Sequence, residues 1–497
     1  MVKRKKTKSR ELAKIIIVST IIILFLDPLS LQAQSKAKEL SRLFNYYNQN
    51  GMFNGAVLAA EKGKVIYEKA FGFADFSKKT PLKTSSIFAI GSITKPFTAA
   101  AIMMLKERGI IQFTDDISTY FPQLSHYAEG VTIRHLLTHT SGIIDYLSRG
   151  LKLQRKSTEV TSEIVLENLA SQTALEFKPG EKFSYSNSNY VLLAQIIEMA
   201  AHQSYGSFLK ENIFAPLGMN QTFVYEGSEE TLEKIVNSYM EYWEISRENE
   251  ILKAGGDGNV YSTVEDLLKF VQSFFSLKLI QADTFDEAFN ETTFLFRNET
   301  KKSRYGFGWE IISHLSGKII YHRGTIAGFC GQLWCHLDQE SILIILCNTP
   351  WLVESADILE GAQEIMKGNP YTLGKISAFQ LYNDNWFVKG FDAGFHLMKK
   401  ALSDEGSNYY IHPWEIHGIG YTRQKEGDFK TALEVFKFSV ELFPDNFHLH
   451  DSLGEVYLAL GDKSNAIKSY KKALEINPKL ESALEAVKKL EVKKKQP

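Results

Sequence analysis

Apolar and polar positions along this chain change their period several times, and each change marks an element. AKELSRLFNYYNQN, residues 37–50, is predicted as a short amphipathic helix. GAVLAAEKGKVIYEKAFG, residues 55–72, reads as two strands joined by a turn at Lys62–Lys64. GSITKPFTAAAIMML, residues 91–105, opens a helix whose Phe97, Ala99–Ile102 and Leu105 are too apolar to face water. Helical runs continue in NYVLLAQIIEMAAH (189–202) and in STVEDLLKFVQSFF, where Ser262 with Glu265 three residues on predicts a capping box. From Gly306 the period shortens to that of strands: GFGWEIIS, GKIIYHRG, CGQLWCHL and SILIILCN. Strands early and late with helices between them predict an α+β domain over residues 35–350. Its antiparallel sheet draws on both ends of that stretch, is flanked by helices, and is joined by an all-helical cluster.

Beyond residue 350 the pattern repeats. Gly420 and Gly454, Gly427 and Gly461, Ala432 and Ala466, Phe436 and Tyr470, and Pro444 and Pro478 are each separated by the same 34-residue step. That is the tetratricopeptide period, with small residues where paired helices cross. Two such repeats are expected over 413–490. Two repeats do not bury their faces alone. A degenerate repeat at 377–412, with its second helix at Phe387–Leu402, is expected to precede them after a linker at 351–376.

The first 34 residues differ from the rest. Lys3, Arg4, Lys5, Lys6, Lys8 and Arg10 precede an apolar run from Ile15 to Leu26 that Asp27 ends. Such a run is short for a bilayer span and fits a secretory signal with a cleavage point near Ala33, so export to a periplasmic or extracellular site is expected; an uncleaved anchor is the alternative. A formal net charge of −1 leaves no basic footprint for nucleic acid. Cys330, Cys335 and Cys347 form neither an even disulfide set nor a zinc spacing, and are expected as small buried hydrophobes on strands.

Ser92 and Lys95 raise the question of chemistry. They are one helical turn apart, at the mouth of an apolar helix, where a lysine is costly unless it pairs or loses its proton. The same S-x-x-K spacing at Ser35, Ser207 and Ser469 is explained by a solvated helix face. Only at Ser92 does Pro96, tolerable in a first helical turn, fix the serine at a helix N-terminus, where negative charge is favoured. Tyr185 and Asn187 lie two apart in a loop before a buried helix, and so point to one side; a packed loop tyrosine reads equally well from this stretch alone. On the strand YHRG, Gly324 would admit a ligand backbone, His322 points the same way, and the amides of Thr325 and Ser92 are a candidate oxyanion hole. His135 and His139, four apart, suggest a metal pair, but lack the glutamate of H-E-x-x-H and a third ligand.

The order S-x-x-K, Y-x-N, H-x-G resembles the serine acyl-transferring family of penicillin-binding proteins, class C β-lactamases and related D,D-peptidases and esterases. HLLTHTSGI, PGEKFSYSN, IFAPLGMNQT, GGDGNVYSTVEDLLKF and YGFGW resemble the family as well, so that the likeness spans about residues 40–350. It implies Ser92 as nucleophile, Lys95 as its base, Tyr185 as a second proton-transfer group and Asn187 as a substrate-amide contact; His322 and Gly324 fill the third motif. It also implies no cofactor or metal and a small-molecule or peptide substrate, while the repeats themselves are expected to offer a site for a protein partner. Arg323 stands where β-lactamases commonly carry a hydroxyl that holds a β-lactam carboxylate, which favours a D-amino-acid peptide or small ester as substrate. A catalytically silent scaffold working through its repeats is the competing reading.

Overall fold

The computed structural model describes residues 28–147, 160–227, 233–239, 253–290, 295–298, 301–314, 317–326, 328–349, 357–404 and 406–492. The apolar run Ile15–Leu26 lies outside them. The chain divides into two compact units, Met1–Leu373 and Gly374–Pro497.

The first unit is built on eight strands: β1 (Gly55–Glu61), β2 (Lys64–Phe71), β3 (Leu295–Asn298), β4 (Lys301–Tyr305), β5 (Glu310–His314), β6 (Gly317–Ile326), β7 (Phe329–His336) and β8 (Ser341–Cys347). They form one sheet in the order β2-β1-β8-β7-β6-β5-β4-β3, antiparallel throughout. The early hairpin joins the late strands through β1 and β8, with Gly55 opposite Cys347 and Glu61 opposite Ser341. Every residue of β7 and β8 is buried, which is why their sequences run apolar instead of alternating. The edge strand β2 has half of its residues exposed, Lys64 and Lys69 among them, charges that discourage a further strand from pairing. The three cysteines are buried on β7 and β8, and the Cys347 thiol donates to the Cys330 carbonyl.

Helices supply the rest of the core: α1 (Pro28–Gln49), α2 (Thr94–Glu107), α3 (Asn187–Ala201), α4 (Val264–Phe275) and α5 (Ile358–Lys367). Phe97 of α2 stacks on Phe270 of α4 at 3.8 Å between ring centroids. The cap of α4 is Thr263, not Ser262: the Asp266 amide donates to Thr263 Oγ1, while Ser262 ends a short strand and is turned inward to Thr222. The segment expected as a linker, 351–376, contains α5, whose Ile358, Ala362 and Met366 are buried. Lys36 Nζ of α1 donates to the Met366 carbonyl at 2.7 Å, and Tyr371 packs over Gly361, so this stretch belongs to the first unit. The N-terminal helix is also longer than expected, starting at Pro28.

The second unit is helical: α6 (Ala378–Lys389), α7 (Phe391–Ser403), α8 (Pro413–Lys425), α9 (Phe429–Leu442), α10 (Phe447–Ala459), α11 (Lys463–Ile476) and α12 (Glu481–Val492). A short parallel pair joins Ile376–Ser377 to Tyr409–Tyr410. The 34-residue step has a direct packing cause. A Cβ on Gly420 would sit 2.6 Å from the Phe436 ring, and one on Gly454 2.7 Å from the Tyr470 ring, so each helix pair crosses through a glycine-on-aromatic contact. Where one helix was expected over Phe387–Leu402, Gly390 at φ +87° breaks the chain into α6 and α7. Phe395 of α7 packs edge-on against Phe438 of α9, and α12 closes over Tyr470 and Ala473. The repeats thus have a helical neighbour at each end.

Candidate active site

Ser92 lies in a tight turn, Gly91–Ile93, that leads into α2. Before it, Phe88–Ala89 pairs with Tyr261–Ser262, and the Ile90 amide donates to the Val260 carbonyl. Three polar side chains of α2 then hold the helix mouth against the same loop. Thr94 Oγ1 accepts from the Val260 amide, and Thr98 Oγ1 donates to the Gly256 carbonyl at 2.7 Å. The third, Lys95, reaches the Asp257 carbonyl.

Lys95 is fully buried, and its Nζ has three partners: Ser92 Oγ at 3.1 Å, Asn187 Oδ1 at 2.8 Å and the Asp257 carbonyl at 2.8 Å. Two of these are pure acceptors. A neutral amine has two N–H bonds and one lone pair; with both N–H bonds committed to Asn187 and Asp257, the lone pair faces the Ser92 hydroxyl. Burial pulls the Lys95 pKa down to about 8, against the opposing charges of Asp257 and Asp145. At a pH of about 7.5 roughly a quarter of such lysines are neutral, against about one in a thousand for a free side chain.

Asn187 is the first residue of α3, and its own amide donates to Asp145 Oδ1 at 3.0 Å while its Nδ2 faces Asp145 Oδ2. Asp145 thereby caps α3 from outside and fixes which face of the Asn187 amide meets Lys95. Tyr146 donates to Asp257 Oδ2 at 2.8 Å, and burial raises the Asp257 pKa to about 6, with Lys95 pulling it down. Tyr185 is held in its hydroxyl form, its pKa raised well above the usual value by burial, with Ser92 acting the other way. The pocket of about 130 Å³ above these groups is lined by Ser92, Tyr185, Asn187, Asp257, Thr325 and Ile326 among others.

The third expected group falls into two parts. Thr325 lines this pocket, its backbone packed so closely on Gly91, which adopts φ +51°, that a Cβ there would lie 3.0 Å from the Thr325 amide nitrogen. His322 and Gly324 point to the other face of β6. What comes close to Gly324 is the protein itself: a Cβ there would lie 1.9 Å from the Ile90 carbonyl, so this glycine lets the Ser92 turn seat on the strand, not a ligand. His322 is buried, its ring 6.4 Å from that of Tyr185 between centroids. Its Nε2 accepts from the Tyr305 hydroxyl at 2.9 Å and its Nδ1 donates to the Arg323 carbonyl at 2.7 Å. Burial, with Lys95 nearby, lowers its pKa to about 3 and keeps it neutral. Arg323 is exposed.

The suggested metal pair does not form. His135 Nδ1 accepts from the Thr132 amide as part of a capping box, whereas His139 lies beyond that helix in a left-handed backbone conformation. Among the described residues no three His, Cys, Asp or Glu side chains gather as a metal site.

The β-lactamase family model matches residues 40–362. The chain belongs to that family. It is 35% identical over 460 residues to penicillin-binding protein 4* of Bacillus subtilis, covering 88% of this chain and 96% of that protein. Among solved structures, the octameric penicillin-binding protein homologue from Pyrococcus abyssi superposes with a TM-score of 0.60 at 25% identity, covering 67% of this chain and 77% of its own. D-amino acid amidase from Ochrobactrum anthropi SV3 shares the fold, with a TM-score of 0.57 at 22% identity over 67% of this chain and 99% of its own. A tetratricopeptide repeat model matches residues 452–480. The protein is therefore an enzyme of the β-lactamase and penicillin-binding-protein type, a serine hydrolase fold carrying repeats at its C-terminus.

Proposed function

We propose that this is an exported serine hydrolase that cleaves an amide or ester, a D-amino-acid peptide or small ester in preference to a β-lactam, through an acyl-enzyme on Ser92. The observation that carries the reading is the Lys95 amine, whose two fixed acceptors leave its lone pair for Ser92 Oγ. Lys95 takes the hydroxyl proton as Ser92 Oγ bonds to the substrate carbonyl carbon. The carbonyl electron pair moves to oxygen, where the amides of Ser92 and Thr325 receive it. As the pair returns, the bond to the leaving group breaks, and the Tyr185 hydroxyl supplies the departing nitrogen or oxygen with a proton. The proton on Lys95 then restores Tyr185. A water molecule repeats the sequence on the acyl-Ser92 ester, releasing the acid and the serine. Asn187, held by Asp145, orients Lys95 and offers its amide to the substrate.

This reading fixes a pH dependence. The free enzyme acts only with Lys95 neutral, so kcat/KM on a short-chain ester is expected to rise nearly tenfold per pH unit below about 8 and to level off above it. A profile flat from about pH 6 to 9 contradicts the assignment of Lys95 as the base.

Export rests on the basic run before Ile15–Leu26 and on the kinship with penicillin-binding protein 4*. Among the described residues no helix is long and apolar enough to cross a membrane. The repeats serve a protein partner in this proposal, not the chemistry. A chain ending at Leu373, which keeps α5 and Tyr371, is expected to turn over a small ester within about twofold of the full-length rate, because repeat units interact mainly with their neighbours. Loss of turnover with an unchanged melting temperature in the shortened chain contradicts that division.

A further inference from the structure

His139 takes no part in the steps above, and it belongs to the HLLTH stretch whose metal reading fails. It is nevertheless wholly buried, and it holds both chain neighbours of Tyr185 as well as the Tyr185 ring. Its carbonyl accepts from the Ser184 amide at 2.9 Å. Its Nδ1 accepts from the Ser186 amide at 3.2 Å, with the Asn189 side-chain amide at 3.3 Å. Its ring lies against the Tyr185 ring, 4.3 Å between centroids at 36°. The two amides flanking Tyr185 are therefore both held by one residue, whose face also supports the phenol.

The remaining contacts of His139 make it rigid. Its ring packs on Tyr305 at 4.7 Å, on Tyr190 at 5.1 Å and edge-on to Phe183 at 5.9 Å. With two N–H donors facing Nδ1, the ring proton resides on Nε2, which has no hydrogen-bond partner among the described residues. Burial, with Lys95 and His322 nearby, holds the ring neutral, so Nδ1 stays an acceptor through the pH range of turnover. The backbone sits at φ +54°, a conformation that histidine and asparagine enter more readily than most residues.

We propose that His139 is a positioning residue for leaving-group protonation, holding the Tyr185 hydroxyl where it meets the departing atom. This rests on the proton-transfer role of Tyr185 proposed above. The role makes a distinctive demand: it matters for a leaving group that must be protonated, such as an alkoxide or amine, and little for a nitrophenolate that leaves as an anion.

The test uses the full-length protein with an alkyl ester and a nitrophenyl ester of the same acyl group. Tyr185→Phe is expected to slow the alkyl ester about a hundredfold more than the nitrophenyl ester. His139→Gln, whose side-chain oxygen overlays Nε2 and leaves Ser186 without its acceptor, is expected to reproduce about a tenfold selective loss. His139→Asn, whose oxygen overlays Nδ1, is expected to keep the ratio of the two rates within about threefold of wild type. In a Tyr185→Phe background His139→Gln is expected to add no further selective loss. His139→Ala replaces His139→Gln if the latter does not fold. Equal losses on both esters, or a selective loss that adds fully to that of Tyr185→Phe, overturns the inference. Absence of any selective loss in Tyr185→Phe itself overturns the role given to Tyr185, and the inference with it.

Discussion

Ser92→Ala is expected to reduce turnover of any ester or amide by at least about 10⁴-fold while leaving the melting temperature within a few degrees of wild type. The size follows from what is removed: without Oγ no acyl-enzyme forms, and what persists is the contribution of binding and the oxyanion donors. The stability should hold because Ser92 is only half-buried and its hydroxyl fills no core space. The neighbouring turn is set by Gly91, Gly324 and the Ile90–Val260 bond, none of which involves the hydroxyl. The check is steady-state turnover on a short-chain ester beside a thermal melt. A variant that keeps a tenth or more of the wild-type rate contradicts Ser92 as nucleophile.

Lys95→Arg is expected to be nearly as damaging as Lys95→Ala, with losses of about 10²–10⁴-fold in kcat/KM for both. Arginine keeps the positive charge but does not give up its proton in this range, so it offers no lone pair to the Ser92 hydroxyl. The site is also shaped for an amine. Nζ sits among Asn187 Oδ1, the Asp257 carbonyl and Ser92 Oγ, and a planar guanidinium with five donors does not fit two acceptors and a hydroxyl in a fully buried place. Kinetics at a pH of about 9 separate the two interpretations, because the wild-type lysine is then mostly neutral. If Lys95→Arg retains most of the wild-type rate there, the lysine acts only through its charge.

Much of this architecture is legible along the chain because local pattern and tertiary fold agree. The apolar runs of β7 and β8, the hairpin at Lys62–Lys64 and the 34-residue step each reflect one packing rule, and each is found where the pattern puts it. Boundaries that depend on distant partners are not legible in this way. The stretch 351–376 looks like a linker because Gly368 and Pro370 punctuate it, yet α5 is fixed by Lys36 and Tyr371 from either side. Ser262 matches a capping box as well as Thr263 does by spacing alone; what decides is that Ser262 is drawn into a strand that pairs with Phe88.

The same division runs through the candidate site. Ser92, Lys95, Tyr185 and Asn187 are brought together, and their spacing within short segments is what made them visible. Asp145, Tyr146, Asp257 and Tyr305 are not picked out by sequence, and His139 only as a candidate metal ligand, since they reach the pocket or its wall from three segments apart from those bearing Ser92 and Tyr185. The signal is nonetheless present in GGDGNVY, HLLTHTSGI and YGFGW, which contain three of them; only HLLTHTSGI suggests a chemistry, and that one is metal binding. His322 illustrates the converse. Strand alternation correctly pairs it with Gly324 on one face, but that face meets Tyr305 and the Ser92 turn, so both positions are filled by the protein's own groups.

The most direct test of the acyl-enzyme is mass spectrometry of the intact protein, quenched in acid within the first turnovers of a nitrophenyl ester and then mapped by peptide digestion. An added mass equal to the acyl group, located on the peptide bearing Ser92 and absent from Ser92→Ala, is the predicted result. Turnover at the wild-type rate with no acylated protein, or with the acyl group on another residue, contradicts it.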